Sequence, residues 1–197
     1  MANVCVFCGA NPGNDPELAA VAVELGVALA EGGHALVYGG GRVGLMGILA
    51  DATLGVGGNV VGFIPRALRD REVAHLGLTE LVVTESMHAR KQGMCDRADG
   101  FIALPGGYGT LDEVMEILTW NQIGTIAKPV VFLDVTLNGA GYFEHLFRFF
   151  DQAVGAGLVK VAHRSMARRA LTVPEAVTIA TGPAPDSPSK WTDPTVR

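Results

Sequence analysis

Two stretches of this sequence combine residue types that can do chemistry on an anionic substrate. "TESMHARKQGM" carries His88, Arg90 and Lys91, and "FIALPGGYGTLDEV" carries Asp112 and Glu113 behind three glycines. In the first, Ser86 fits a helix N-cap, so the cations fall in or just past the first helical turn. There they face the positive end of the helix dipole, at a cost of about a few tenths of a kcal/mol each. A solvated basic face would account for them; so would an anionic ligand or a carboxylate that they meet. In the second stretch an apolar run stops at Pro105, and Gly106, Gly107 and Gly109 precede a new helical pattern. Glu113 then has two readings. Thr110-Leu111-Asp112-Glu113 fits a capping box, in which the Thr hydroxyl and the Glu carboxylate satisfy backbone donors at the helix start. Alternatively, the helix presents Glu113 as a chemical group.

A third stretch, "VYGGGRVGLMG", follows an apolar run and opens a helix. Gly39, Gly40, Gly41 and Gly44 could let backbone N–H groups approach a phosphate at a helix N-terminus. Tight turns and close packing call for glycine as well. Neither glycine loop is followed by Gly-Lys-Ser/Thr, and neither has the G-x-G-x-x-G spacing with an acidic residue about twenty positions on, which argues against a nucleoside triphosphatase or a nicotinamide enzyme.

The elements that must position these loops read as alternating units. "NVCVF", "HALVYG", "NVVGFI", "ELVVTE", "GFIALP" and "KPVVFLDV" are short β-rich runs separated by amphipathic segments, which predicts an α/β fold: a doubly wound, Rossmann-like parallel sheet with helices on both faces. The first helix is punctuated by Asp15 as N-cap, Pro16 at its first position and Gly32-Gly33 as its stop. Further helices are expected over 45–56, 87–97, 111–122 and 142–154. In such a sheet, ligands collect beyond the carboxyl ends of the strands, where these loops fall.

Composition narrows the class. At 197 residues, 49% hydrophobic and 18% charged, the chain fits a single domain over residues 1–180, with the Pro-, Ser- and Asp-rich 181–197 expected as a disordered tail. A net charge of −5 without a dense Lys/Arg block gives no footprint for nucleic acid or an anionic membrane. No apolar run approaches the roughly 20 residues that span a bilayer, and a cytoplasmic protein is expected. Cys5 and Cys8 form a C-x-x-C across the end of a strand, whose period of two sends them to opposite faces; with no second ligand pair for zinc, core packing is the better account and no metal is expected.

Taken together, "YGGGRVGLMG", "SMHARK", "PGGYGTLDE" and "LTW", in this order, resemble the LONELY GUY (LOG) family of cytokinin riboside 5′-monophosphate phosphoribohydrolases, over about Val4 to Val173. The resemblance implies hydrolysis of the N-glycosidic bond of an adenine-type nucleoside 5′-monophosphate, the adenine N6-prenylated or plain, to free base and ribose 5-phosphate, with no cofactor. It places substrate contacts at Glu72, Arg90, Lys91, Gly107, Tyr108, Gly109, Thr110, Leu111, Asp112, Glu113 and Thr119, with Arg90 and Glu113 as the catalytic pair. It departs from the family pattern at Ala10 and Asn11, where two hydroxyls are common, and at Arg42, frequently Ser. It also implies a homodimer. Thr119 follows Glu113 by about 240° around a helix, so the two are not expected to face one pocket of the same subunit. The competing class is a non-catalytic nucleotide or molybdenum-cofactor binding protein, since such Rossmann-like proteins have similar glycine loops. A lysine decarboxylase would need a Schiff-base lysine and pyridoxal phosphate, and of the four lysines only Lys91 falls near the expected site.

Overall fold

The structure is a computed structural model that describes residues 1–69 and 74–184. The sequence reading of Glu72, and of 185–197 within the tail, falls outside the described residues.

β1 (Asn3–Phe7) lies inside a seven-stranded parallel sheet. From it the chain winds outward through α1 (Pro16–Glu31), β2 (Ala35–Tyr38), α2 (Gly44–Gly55), β3 (Val60–Pro65), the short α3 (Arg66–Arg69) and β4 (Glu80–Thr84), which forms one edge. It then returns through α4 (Met87–Arg97) to β5 (Gly100–Ala103), which pairs with the other side of β1. The second half runs through α5 (Tyr108–Ile123), β6 (Val130–Leu133) and a small hairpin of β7 (Thr136–Leu137) and β8 (Ala140–Gly141). It ends with α6 (Glu144–Gly155), α7 (Val161–Arg164), the edge strand β9 (Ala167–Ala170) and α8 (Val173–Ala180). The sheet order is β4-β3-β2-β1-β5-β6-β9, every neighbouring pair parallel. This is the doubly wound α/β fold that the alternation predicts.

Strand alternation divides the core in two. Val4, Val6, Leu36, Tyr38, Ile102 and Val131 pack against α1, α2 and α8, while Cys5, Phe7, Val37, Phe101, Val130 and Phe132 pack against α4, α5 and α6. Cys5 and Cys8 thus belong to opposite faces, both buried and free. Burial pushes both thiols well above the ordinary cysteine range, with the Glu113 carboxylate adding to the effect, so neither is a reactive thiolate. Asp15 caps α1 through Glu17 N at 3.0 Å, and Pro16 opens it. The sequence reading passes over β9, whose "ARRA" has two exposed arginines between buried alanines, because an edge strand this short shows no apolar run.

The exit from α5 toward β6 is set by one buried amide. Asn121 accepts from Lys128 N at 2.9 Å and donates to Lys128 O at 3.1 Å, while Lys128 Nζ reaches the carbonyls of Cys95 and Ala98 at the end of α4. Asn121→Ala strands a buried donor and a buried acceptor, each worth about 1–3 kcal/mol when left unpaired. A fall in melting temperature of about 4–24 °C is expected for a chain this size, read by calorimetry. A fall under about 1 °C would mean that water replaces the amide fully.

Candidate active site

The chain leaves β1 toward one side of the sheet and returns to pair β5 on the other, which opens a crevice beyond the carboxyl ends of these two strands. A cleft of about 510 Å³ lies there. Its walls come from the loop after β1, the first turns of α2 and α4, the Pro105–Gly107 loop with the start of α5, and Tyr142.

Arg90 enters from the first turns of α4, whose N-cap Ser86 accepts from Ala89 N at 3.1 Å as expected. The residue is only 6% exposed, and its guanidinium remains charged wherever it is buried. Nη2 stands 3.7 Å from Glu113 Oε1, Nη1 lies 3.8 Å from Met87 Sδ, and Nε has no hydrogen-bond partner among the described residues. A buried, unsatisfied N–H on a permanent cation is an unfilled position for an oxyanion or a polar ligand atom. The guanidinium rests against Gly39 at the end of β2: a Cβ there would sit 2.0 Å from Nη2.

The capping box does not form. α5 starts at Tyr108, with Gly107 as its N-cap and no side-chain cap bond, so Glu113 is a turn further in than a capping residue would be. Thr110, which looked like the cap, is 3% exposed, its hydroxyl packed on Gly106. The misreading has a clear source: Gly109 is a poor helix former and Thr a good N-cap, so propensity places the start too late. Released from capping, the Glu113 carboxylate lines the cleft beside Arg90.

The other expected positions divide. Gly107, Gly109, Thr110 and Asp112 line the cleft with Arg90 and Glu113, whereas Tyr108, 94% exposed, and the partly buried Leu111 do not. Lys91 turns to α5, pairing Asp112 at 3.2 Å and Glu116 at 3.1 Å. Burial alone would lower its ammonium, but the two carboxylates outweigh that and hold it above the ordinary lysine range. Thr119 is exposed, donates to Met115 O at 2.8 Å, and borders a separate apolar cavity of about 230 Å³ between α5, α6 and α7. Gly39, Gly40, Gly41 and Gly44 do not line the cleft; a Cβ at Gly44 would meet the Ala10 backbone, and Leu45 N is taken by Gly9 O at 3.1 Å. Of the departures, Ala10 and Asn11 line the cleft and Arg42 is exposed outside it. The sequence reading missed Tyr142 and Met87. The Asn138-Gly139 turn, both residues at positive φ, was the available hairpin signal that leads to Tyr142.

A buried arginine paired with a glutamate thus stands at the strand-order switch, beside a glycine-opened helix start. The profile of a family described as "Possible lysine decarboxylase" matches residues 46–180. A probable cytokinin riboside 5′-monophosphate phosphoribohydrolase of Oryza sativa subsp. japonica is 42% identical over 172 residues, covering 87% of this chain and 75% of that one. A cytokinin riboside 5′-monophosphate phosphoribohydrolase of Arabidopsis thaliana is 45% identical over 166 residues, covering 84% and 73%. The chain belongs to the LOG family. Among solved structures, the molybdenum-cofactor carrier protein of Chlamydomonas reinhardtii superposes with a TM-score of 0.66 at 23% identity over 90% of this chain and 94% of that one, a likeness of fold. The decarboxylase description of the LOG profile does not fit these residues. Lys91 is spent on two carboxylates and Lys128 on two carbonyls, and none of the described lysines lines the cleft to hold pyridoxal phosphate.

The contact between Gly39 and Arg90 generates a test. Gly39→Ala is expected to preserve the fold, because the colliding atom is the end of a side chain, with the melting temperature within about 5 °C of the parent. The guanidinium must retreat by more than about 1 Å to reach van der Waals distance from the new methyl, which a crystal structure of the variant reads as a changed Arg90–Glu113 separation. An unmoved guanidinium would show that Gly39 does not set its place.

Proposed function

We propose that the protein hydrolyses the N-glycosidic bond of an adenine-type nucleoside 5′-monophosphate, plain or N6-prenylated, releasing the free base and ribose 5-phosphate. The observation that carries this reading is the placement of the Glu113 carboxylate, held 3.7 Å from Arg90, in the same cleft as the open N-terminal turn of α5. The curated relatives, named as cytokinin riboside 5′-monophosphate phosphoribohydrolases, support it.

The first backbone N–H groups of a helix have no intrahelical partner, and the dipole adds partial positive charge there. At α5 this end opens through Gly107 and Gly109, where even an added Cβ would meet nothing within 4 Å, so a phosphate can approach the backbone. Anchored there, the ribose lies beside Glu113. Breaking the C1′–N bond sends its electron pair to the base and develops positive charge on the sugar, which a carboxylate stabilises. Glu113 also takes a proton from the water whose oxygen bonds C1′, and the departing base acquires a proton in turn. Arg90 keeps the carboxylate ionised and aimed, and its unfilled Nε offers a donor to a substrate oxygen. Phosphate binding contributes by fixing the sugar.

The same reading takes the protein to be a cytoplasmic homodimer. Thr119 is exposed beside an apolar cavity away from its own cleft, which suits a contact with the partner's substrate. A carrier that binds nucleotide without cleaving it has no use for a carboxylate buried against a cation, and the enzyme is therefore preferred.

Glu113→Gln tests the chemistry. A neutral amide neither accepts the proton nor stabilises a cationic sugar, so base release from AMP and N6-prenyl-AMP is expected to fall at least about a hundredfold while nucleotide binding persists. The measurement is free base by chromatography alongside calorimetric binding. Near-normal turnover in this variant would remove the mechanism's central residue, and binding without turnover in the parent would favour the carrier.

A further inference from the structure

Tyr142 is a cleft residue that the hydrolysis above leaves unused. Its hydroxyl donates to the carbonyl oxygen of Gly106 at 2.7 Å, and its ring forms part of the cleft wall. The single hydroxyl proton is thereby committed to the backbone rather than to a ligand.

The side chain is delivered there by a rigid arm. Tyr142 N donates to Val135 O at 2.9 Å, and Phe143 N donates to Asp134 Oδ1 at 2.7 Å. Asp134 is 1% exposed, and its other oxygen accepts from Arg169 Nε at 2.6 Å. The Tyr142 ring stands edge-on to Phe143, centroids 5.0 Å apart and planes at 89°. Nothing in this arrangement waits for a ligand.

Its target is the one peptide in the loop with glycine on both sides, Gly106–Gly107. The peptide is trans, so its carbonyl and its N–H point in opposite directions. With little steric resistance at Gly107, rotation of this plane would exchange the two and bring a carbonyl dipole to the place of an N–H. We infer that Tyr142 is a positioning residue for the 5′-phosphate: its hydroxyl holds the Gly106 carbonyl and so keeps the Gly107 N–H available to the anion at the start of α5. The inference rests on the proposed function, in that it takes the N-terminus of α5 to be the phosphate site.

Tyr142→Phe removes the hydroxyl and retains the ring. The experiment compares parent and variant in kcat and KM for AMP, in competitive inhibition by ribose 5-phosphate, and in melting temperature, with adenosine as the unphosphorylated control. Losing the latch weakens a contact to a charged group, so KM for AMP and the inhibition constant of ribose 5-phosphate are expected to rise together by about tenfold, with kcat held within about twofold. Tyr142→Leu, which also deletes the ring, is expected to raise the inhibition constant to within about threefold of the Phe variant. A rise confined to the Leu variant would make the ring a contact and overturn the latch. So would a fall in kcat at unchanged KM, or no change in either constant. A parent enzyme that cleaves adenosine as fast as AMP and ignores ribose 5-phosphate would overturn the phosphate site itself, and the latch with it. A parent that discriminates, paired with an unaffected Phe variant, would overturn the latch alone.

Discussion

A guanidinium taken out of water stays charged, and much of the site is arranged around that fact. Arg90 is buried in the crevice with a carboxylate 3.7 Å away, a thioether beside one nitrogen and its Nε without a partner among the described residues. The arrangement needs three allowances from the surrounding chain. Gly39 gives up a side chain so that Nη2 can lie against the end of β2. Ser86 caps α4 and holds the turn from which Arg90 projects, although a cation this early opposes the helix dipole. Lys91, the adjacent residue, joins α4 to α5 through Asp112 and Glu116, which fixes the distance across which Arg90 and Glu113 meet. The Glu116 pair is mostly shielded from solvent and so less screened than a surface ion pair, while the Asp112 carboxylate is 63% exposed; together they tie the two helices to each other.

The parallel sheet explains why such a pair can be assembled from distant parts of the sequence. Every strand points the same way, so every helix that follows a strand begins at the carboxyl edge. Arg90 arrives after β4, at the far edge, and Glu113 after β5, next to the centre. They converge because α4 crosses back over the face of the sheet to lead into β5, alongside α5. The return crossing that creates the switch in strand order therefore also delivers the cation to the crevice.

The fold was readable because its signals are local and redundant: α4 has the limits expected from Ser86 and its apolar spacing, and β1 coincides with "NVCVF". The edge was not, since Ala167–Ala170 is buried only at its ends, with two arginines between them in place of an apolar run. At the site, Arg90 and Glu113 could be singled out from residue type and family resemblance. Their contact could not, because it depends on Gly39 yielding space about fifty positions before one partner. The start of α5 was misplaced for a related reason. Propensity sees Thr110 as a cap, while the structure buries that hydroxyl against Gly106 and leaves the first turn to Tyr108 and Gly109. Tyr142 left a weaker trace: the Asn-Gly turn marks a hairpin, but nothing in it says which loop the next aromatic residue will meet.

Composition also treats the two glycine loops alike, and packing separates them. In the loop after β2, Gly39 faces a guanidinium and Gly44 the Ala10 backbone, and the Leu45 N–H at the start of α2 is already used by Gly9. These glycines let chain segments approach one another. In the loop after β5, Gly106 is packed against Gly9 and Thr110, but Gly107 and Gly109 face open space in the cleft wall. Here the missing side chains leave room for something that is not protein. On the α2 side the Leu45 N–H is therefore already occupied, while on the α5 side Gly107 and Gly109 leave the backbone open, one turn of helix before Glu113. For a phosphate bound at the start of α5, as proposed, the distance from anchor to carboxylate is set within a single helix, which is what positioning a ribose between the two requires.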